Sequence, residues 1–373
     1  AAGTTRVRLP YAEWGLDDHC RSAAARVSDR DWLTLVESLR VPRSVRGVQL
    51  IAEHTLRHAS GQLFQEAHYV AAIPNDGQTL LDGFLPAPSR SRKRPVNAGV
   101  FFTPPAIART LVEQAISILP WQKRDGITVF DPACGSGEFL REAYRQLRAA
   151  DYRGRIHLHG ADESIAAVTM ARFALSPRNL DGDPSVDVNV VQQDSIALGT
   201  VWPQGIDLLL MNPPFISWWN LGPTQREVVR TRLGGSTKSK PDLAAAFINM
   251  APAALSNTGV MGTVMPTSML ESDAAQDLRR SLAERLSICL IARLGNLGLF
   301  SSATVDAALL VASRGPHPTT TMVWSDYRPH SVSAALRSLR TRRNSIENGD
   351  GYSIYEDPID RATVNWSPRP YSA

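Results

Sequence analysis

Cysteine is scarce: the 373 residues contain only Cys20, Cys134 and Cys289, scattered without metal-ligand spacing and odd in number. That excludes a disulfide framework and a cysteine-based zinc site, and fits a reducing compartment, with the cytoplasm as the expectation. No apolar run approaches the roughly 20 residues of a membrane-spanning helix. The opening residues Ala1-Ala2-Gly3-Thr4-Thr5 also lack the charged-then-apolar order of a secretory signal, so no membrane partner is expected. Charge of one sign is not in large excess either. Forty Lys+Arg against 36 Asp+Glu leave a net +4, too little to identify a nucleic-acid partner by itself. Internal repeats and long low-complexity tracts are absent, which excludes a solenoid.

What is present supports a globular chain of one large domain with an appendage, or of two domains, since 43% hydrophobic content is ample for a core. Basic residues concentrate twice. Arg226, Arg230, Arg232, Lys238 and Lys240 stand between Ile216 and Leu243 against Glu227 and Asp242, and Arg328, Arg337, Arg340, Arg342 and Arg343 stand between Tyr327 and Ile346 with no acid. Each cluster reads equally as a solvated face or as a phosphate-contacting one.

Residues 1–95 read as a helical N-terminal region closed by a linker. Asp29 precedes a helical pattern over Arg30 to Leu39 that Pro42 ends, and Val48 to Ala67 is a second helical stretch. His54, His58 and His68 lack a fourth ligand and read as ordinary surface or packing histidines. Pro86 to Pro95 is proline-rich and basic, the composition of an exposed linker. Thr103 is then expected to cap a helix that starts in Pro104-Pro105 and runs to about Leu119.

From Gly126 strands and helices alternate. Strands are expected to Phe130, at Ile156 to Ala161, Val186 to Val191, Ile206 to Met211, Gly259 to Met265, Ser287 to Leu294 and Asp306 to Ala312. Helices fall between them at Gly137 to Ala149, Ile165 to Leu175 and Leu243 to Leu255. The fold class is α/β, a doubly wound, Rossmann-like sheet of mostly parallel strands. The expected organisation is 1–95 helical region and linker, 96–325 catalytic domain, and 326–373 basic extension or start of a recognition region.

Two motifs sit where strands end. Asp131-Pro132-Ala133-Cys134-Gly135-Ser136-Gly137 follows the strand to Phe130, and Asn212-Pro213-Pro214-Phe215 follows Ile206 to Met211. In an open α/β sheet that edge binds ligands. Gly135 and Gly137 let backbone approach a ligand closely, but the third glycine of a dinucleotide fingerprint and the lysine of a phosphate loop are both missing. Asp162 ends the next strand, where a carboxylate can accept ribose hydroxyls. Asp194 ends the one after, where an acceptor can meet an adenine amino group. For each acid the plain structural alternative is a helix N-cap.

The pair of motifs, spanning about Gly99 to Ser313, resembles the γ group of S-adenosylmethionine-dependent DNA N6-adenine methyltransferases, particularly those of restriction-modification and phage-defence systems. That resemblance implies S-adenosylmethionine as cofactor. It gives Thr103 the methionine part, Asp131, Ala133, Gly135 and Gly137 the cofactor-lining turn, Asp162 the ribose, Asp194 and Ser195 the adenine, and Leu243 the closing of the pocket. It also implies that Asn212, Pro213, Pro214 and Phe215 perform methyl transfer to a base flipped from double-stranded DNA, stacked between Phe215 and Phe300. The one departure is Phe215 in place of a frequent tyrosine, which keeps stacking and removes a hydroxyl.

The stretch from Ile216 to the helix at Leu243 is a long insertion. Trp218 and Trp219 either anchor it or face a ligand, and the sequence leaves that open. A protein glutamine N5-methyltransferase uses a similar Asn-Pro-Pro-aromatic motif, and a noncatalytic cofactor-binding subunit is a second alternative. Only about 50 residues follow the catalytic core, with Tyr352-Ser353-Ile354-Tyr355 as one possible strand. Target recognition is therefore expected from a separate subunit or a missing domain.

Overall fold

Aliphatic strands alternate with amphipathic helices from residue 105 onward. The computed structural model of the chain describes residues 103–371 except 178, 235–239, 296–305, 343 and 360–364, together with residues 28, 30, 43–45 and 48–50. The expected N-terminal helices lie almost wholly outside the described residues, as do His54, His58 and His68, the linker 86–95, Lys238 and Phe300. One part of the N-terminal reading is corrected. Residues 48–50, expected to be helical, form strand β2 (Val48–Leu50), antiparallel to β1 (Arg43–Val45) with Val45 opposite Val48. The strand preference of β-branched valine at positions 45 and 48 outweighs the helical spacing of the leucines.

The main unit then runs α1 (Pro105–Ile118), β3 (Gly126–Asp131), α2 (Glu138–Ala149), β4 (Arg155–Asp162), α3 (Ile165–Ala174), β5 (Val186–Gln192) and β6 (Ile206–Met211). It continues with α4 (Pro223–Arg232), α5 (Leu243–Ala254), β7 (Leu255–Pro266), α6 (Gln276–Arg285), β8 (Ser287–Gly295), β9 (Ala307–Ser313), β10 (Thr320–Ser325), α7 (Pro329–Thr341), β11 (Glu347–Gly349) and β12 (Tyr352–Asp357). Ten of these strands make one sheet in the order β11-β12-β10-β8-β9-β7-β6-β3-β4-β5. Strands β5, β4, β3, β6 and β7 are mutually parallel, while β9 runs antiparallel between β7 and β8.

The sheet is buried on both faces, so its central strands read as continuous apolar runs. In β6, Leu208 and Leu210 join α1, α2, α3 and α7 through residues such as Leu111, Leu140, Val168 and Leu336. Ile206, Leu209 and Met211 face the other layer, with Phe247 and Ile248 of α5 and Leu282 of α6. The one polar residue of β6, Asp207, is buried and fully used. It accepts hydrogen bonds from Thr128 N (3.0 Å) and Ser256 Oγ (2.9 Å) and pairs with Arg124, tying β3, β6 and β7 together at their amino-terminal end.

Two further expectations are corrected. The insertion after Phe215 is not only loop: α4 begins at Pro223, with Gly222 N donating to Gln225 Oε1 (3.1 Å), and inserts Val229 into the core. Nor does the sheet stop at residue 325. Strand β12 pairs with β10 from Thr320↔Asp357 to Ser325↔Tyr352, and α7 buries Val332, Ala335, Leu336 and Leu339 in the common core. The arginine count hid that stripe, whose positions recur at i, i+3, i+4 and i+7. Trp366, beyond the last strand, is buried, and its backbone N–H donates to Leu270 O (2.9 Å).

At the sheet's far corner Asp183 accepts from Arg148 Nε (2.7 Å), Ser185 Oγ (2.6 Å) and Ser185 N (3.0 Å). Burial pushes its carboxyl up, but the hydrogen bonds from Ser185 and Arg148 outweigh it and hold it at about 2. A carboxylate held below its unfolded value stabilises the fold above that value, and the contribution is lost as pH falls through the folded one. Asp183→Asn is therefore expected to lower Tm at pH 7 by roughly 2–5 °C, with the gap to wild type narrowing below about pH 4. Thermal melts of both proteins between pH 7 and pH 3 check this, and a gap that stays constant would refute the role of the charge.

Candidate active site

Strand order reverses between β3 and β6, which pair through Val129↔Leu208 and Phe130↔Leu209. The turn after β3 and the segment after β6 therefore leave the sheet side by side, at the crevice such a reversal creates. The first carries Asp131 to Gly137 and the second Asn212 to Phe215.

The glycine turn is built by hydrogen bonds rather than by packing. Gly137 N donates to Cys134 O (2.7 Å) and Cys134 N to Ala161 O (3.0 Å), which closes the turn against β4. Gly135 and Gly137 have φ of +51° and +81°, backbone that side chains resist. Their surroundings differ. A Cβ on Gly137 would meet Ala171 at 3.3 Å, so this glycine lets α2 sit against α3, whereas a Cβ on Gly135 would have no neighbour within 4 Å. Gly135 thus leaves a cradle in front of the turn. Asp131 is buried below it and accepts from Ala133 N (3.0 Å); burial raises its carboxyl well above the usual range, and the charge of Asp162 raises it further. Burial likewise keeps the Cys134 thiol protonated, an inert group.

Asp162, half-buried at the end of β4, accepts from Gly135 N and Ser164 N, each at 2.9 Å. It is not a helix cap: Ser164 caps α3, accepting from Ala167 N (3.3 Å). A carboxylate has further lone pairs, so both backbone contacts are compatible with ribose hydroxyls on the same group. Asp194 is exposed and accepts from Ile196 N (3.0 Å) and Ala197 N (3.2 Å), a local turn with no helix after it. Ser195 is buried and donates its hydroxyl to Pro132 O (2.6 Å). Its side chain is committed to bracing the glycine turn.

Across the crevice, Asn212 is half-buried and its Nδ2 donates to Thr103 Oγ1 (3.0 Å). The threonine was expected to cap α1. Instead Pro104 takes the cap position without a side-chain bond, and the buried Thr103 hydroxyl faces the second motif. Phe215 packs partly buried against both core layers. Leu243 is buried, and its N–H donates to Ile216 O (2.9 Å), which fixes the segment after Phe215 to the start of α5.

Sequence reasoning missed the residues that fasten the insertion. Arg232 donates to the carbonyls of Ile196 (3.0 Å), Ala197 and Thr200 (2.9 Å), clamping α4 onto the loop that holds Asp194. Arg226 donates to the carbonyls of Trp218 and Trp219, both at 3.2 Å. Trp218 is buried, with the guanidinium groups of Arg226 and Arg230 at 5.6 and 5.0 Å from its ring centroid. Trp219 is 70% exposed and has Lys240 over its ring at 4.1 Å. The question left open by the sequence therefore divides: Trp218 is an anchor and Trp219 is displayed. Trp202, also unremarked in the sequence, stacks edge-on against Phe130 (5.4 Å) and donates from Nε1 to Ser195 O (2.8 Å).

A family model described as N-6 DNA Methylase matches residues 89–346. The chain belongs to the N-6 DNA methylase family. Among curated proteins it is 29% identical over 180 residues to the type I restriction enzyme MjaVII methylase subunit of Methanocaldococcus jannaschii, covering 48% of this chain and 27% of that one. It is 27% identical over 225 residues to the type II methyltransferase M.BanIII of Aneurinibacillus aneurinilyticus, covering 56% and 37%. The chain thus spans about a third of the length of these relatives. Among solved structures, the methyltransferase subunit of a type I restriction-modification system from Streptococcus thermophilus superposes with TM-score 0.50 at 19% identity, over 68% of this chain and 55% of that one. A DrdV–DNA complex superposes with TM-score 0.54 at 17% identity, over 72% and 31%. These likenesses establish the Rossmann-like methyltransferase fold.

The open cradle at Gly135, with a carboxylate beside it, fits S-adenosylmethionine, the cofactor of this family. Gly135→Ala should leave the fold nearly intact, costing about 1 kcal/mol for the strained backbone. The added methyl should weaken cofactor binding at least about tenfold by occupying the cradle. Calorimetry and thermal melts together check this; unchanged affinity would place the cofactor elsewhere.

Proposed function

We propose that this chain methylates DNA, transferring a methyl group from S-adenosylmethionine to the N6 amino nitrogen of an adenine flipped out of the duplex. The observation that carries the reading is the juxtaposition, at the reversal of strand order, of the glycine cradle with Asn212-Pro213-Pro214-Phe215. The adenine amino nitrogen is a poor nucleophile because its lone pair is delocalised into the ring. The Asn212 side-chain oxygen and the Pro213 carbonyl would accept hydrogen bonds from its two N–H groups and favour a pyramidal nitrogen, and the stiff Pro213-Pro214 backbone fixes their spacing. Bound S-adenosylmethionine supplies an electrophilic methyl group on its sulfonium, so the enzyme itself need form no covalent intermediate.

The roles of the remaining residues follow the same reading. Phe215 stacks on the flipped base, with Phe300 as the second wall. Asp162 holds the ribose, Asp194 and the backbone braced by Ser195 border the cofactor's adenine, and Leu243 closes the pocket. Arg226 and Arg232 are occupied within the insertion, which among its described residues leaves Arg230, Lys240 and the displayed Trp219 as candidate DNA contacts. We place target recognition in a separate subunit or domain of a cytoplasmic restriction-modification or phage-defence system, a reading supported by the similarity to a type I restriction enzyme methylase subunit. A protein glutamine methyltransferase would use the same four residues on a planar amide; the family match favours DNA.

Digesting treated DNA to nucleosides and identifying the modified base, with and without candidate recognition partners, tests the activity; labelling of a release factor rather than DNA would establish the glutamine reading. Asn212→Ala should lower the single-turnover rate at least about a hundredfold while cofactor affinity stays within about threefold, because the amide acts on the substrate amine. A variant with a near wild-type rate would remove Asn212 from the chemistry. The chain without a partner should bind unrelated duplexes with similar, weak affinity that falls steeply as salt rises. Salt-resistant binding to one duplex alone would show that this chain already reads sequence.

A further inference from the structure

The hydrogen bond from Asn212 Nδ2 to Thr103 Oγ1 (3.0 Å) joins two motifs 109 residues apart. A primary amide is nearly symmetric in shape and opposite in chemistry at its two ends: one oxygen accepts, one nitrogen donates. Rotation by half a turn exchanges them at almost no steric cost. For the proposed reaction only one orientation works, because an amine that donates two hydrogen bonds, and loses one proton as the methyl arrives, needs acceptors and is repelled by a second donor. Packing against apolar groups cannot make that choice. A hydrogen-bond partner on one branch can once it is fixed as donor or acceptor, and a hydroxyl is fixed as acceptor when another group holds its proton.

Thr103 is well placed to be that partner. It is 7% exposed, and it stands one residue before the cap of α1, whose Ile107, Leu111 and Ala115 are fully buried, so the hydroxyl is carried by a rigid frame. It is also released from the usual duty of a threonine before a helix, since Pro104 occupies the cap position. Resting on the methyl-transfer reading above, we propose that Thr103 is a positioning residue: by accepting from Asn212 Nδ2 it directs Asn212 Oδ1 toward the substrate amine. A threonine hydroxyl that accepts keeps its proton for another acceptor. Any group that takes that proton strengthens the preference, because the oxygen then has only acceptor capacity left for Asn212.

Three variants test this. Thr103→Val keeps shape and removes the acceptor, Thr103→Ser keeps the acceptor, and Asn212→Asp identifies the Asn212 side-chain signal in asparagine-labelled NMR spectra by deleting it. With cofactor and DNA both saturating, Thr103→Val should lower the single-turnover rate about tenfold, and Thr103→Ser should restore it to within about threefold. In the spectrum without DNA, the Asn212 side-chain amide protons should shift and exchange faster in Thr103→Val but not in Thr103→Ser. A loss of rate that higher cofactor concentration fully recovers would make Thr103 a cofactor contact only, and overturn the proposal. So would an unmoved amide signal or an undiminished rate. The spectrum is read without turnover: if the wild-type chain proves inactive on DNA, the methylation reading falls, while the orienting contact is still decided by the amide signal.

Discussion

The parallel pairing of β3 with β6 is the constraint on which the site depends. Each strand ends in a segment that is incomplete alone: a glycine turn with a cradle, and an amide-bearing turn stiffened by two prolines. Pairing Phe130 with Leu209 sets the two ends at one level of the sheet. Burial holds that register, because β6 contributes alternate residues to two separate apolar layers and a slip by one position would send every side chain to the wrong one. Asp207 reinforces it from the opposite end, where a buried carboxylate is tolerated because two neutral donors and a guanidinium satisfy it.

Several residues first noticed for their chemistry turn out to be braces around that constraint. Ser195 and Trp202 hold the glycine turn from below, and Asp162 joins it to β4 while remaining half-accessible. Asp242, whose carboxyl is raised by burial, accepts from the Trp218 amide and fastens the insertion. Such bracing reduces what a ligand must reorganise on binding, since the turn's amides and carbonyls are already committed before it arrives.

The arginines illustrate how charge in sequence differs from charge at a surface. Arg226 and Arg232 spend their donors on backbone carbonyls of the insertion and of the loop after β5. Farther on, Arg328 pairs with Asp326 and Asp350, and Arg342 reaches Glu356. A tract with no acid of its own is thus partly neutralised by acids from its flank, from the turn between β11 and β12, and from β12. Neither cluster is an uninterrupted phosphate track. Electrostatic attraction to DNA, where it arises, comes from the fewer cations that remain at the surface, such as Lys240 beside Trp219.

The strands from Gly126 to Ser313 and the two motifs at their ends were legible in the sequence, because buried parallel strands are continuous apolar runs and a glycine turn or an Asn-Pro-Pro turn restricts the backbone locally. Beyond Ser313 only the possible strand at Tyr352 to Tyr355 was legible, as β12; β10 and α7 were not, and in α7 arginines masked an apolar stripe that only a helical projection onto the sheet reveals. The N-terminal hairpin was misread because a three-residue strand has too few positions to show its period. Local sequence also named Thr103 and Asn212 separately, one as a helix cap and one as a reacting group. Only the tertiary structure brought them to 3.0 Å, because a hydrogen bond across 109 residues depends on where α1 lies against the sheet. That placement is decided by the packing of Ile107 and Leu111 in the common core, which no local pattern encodes.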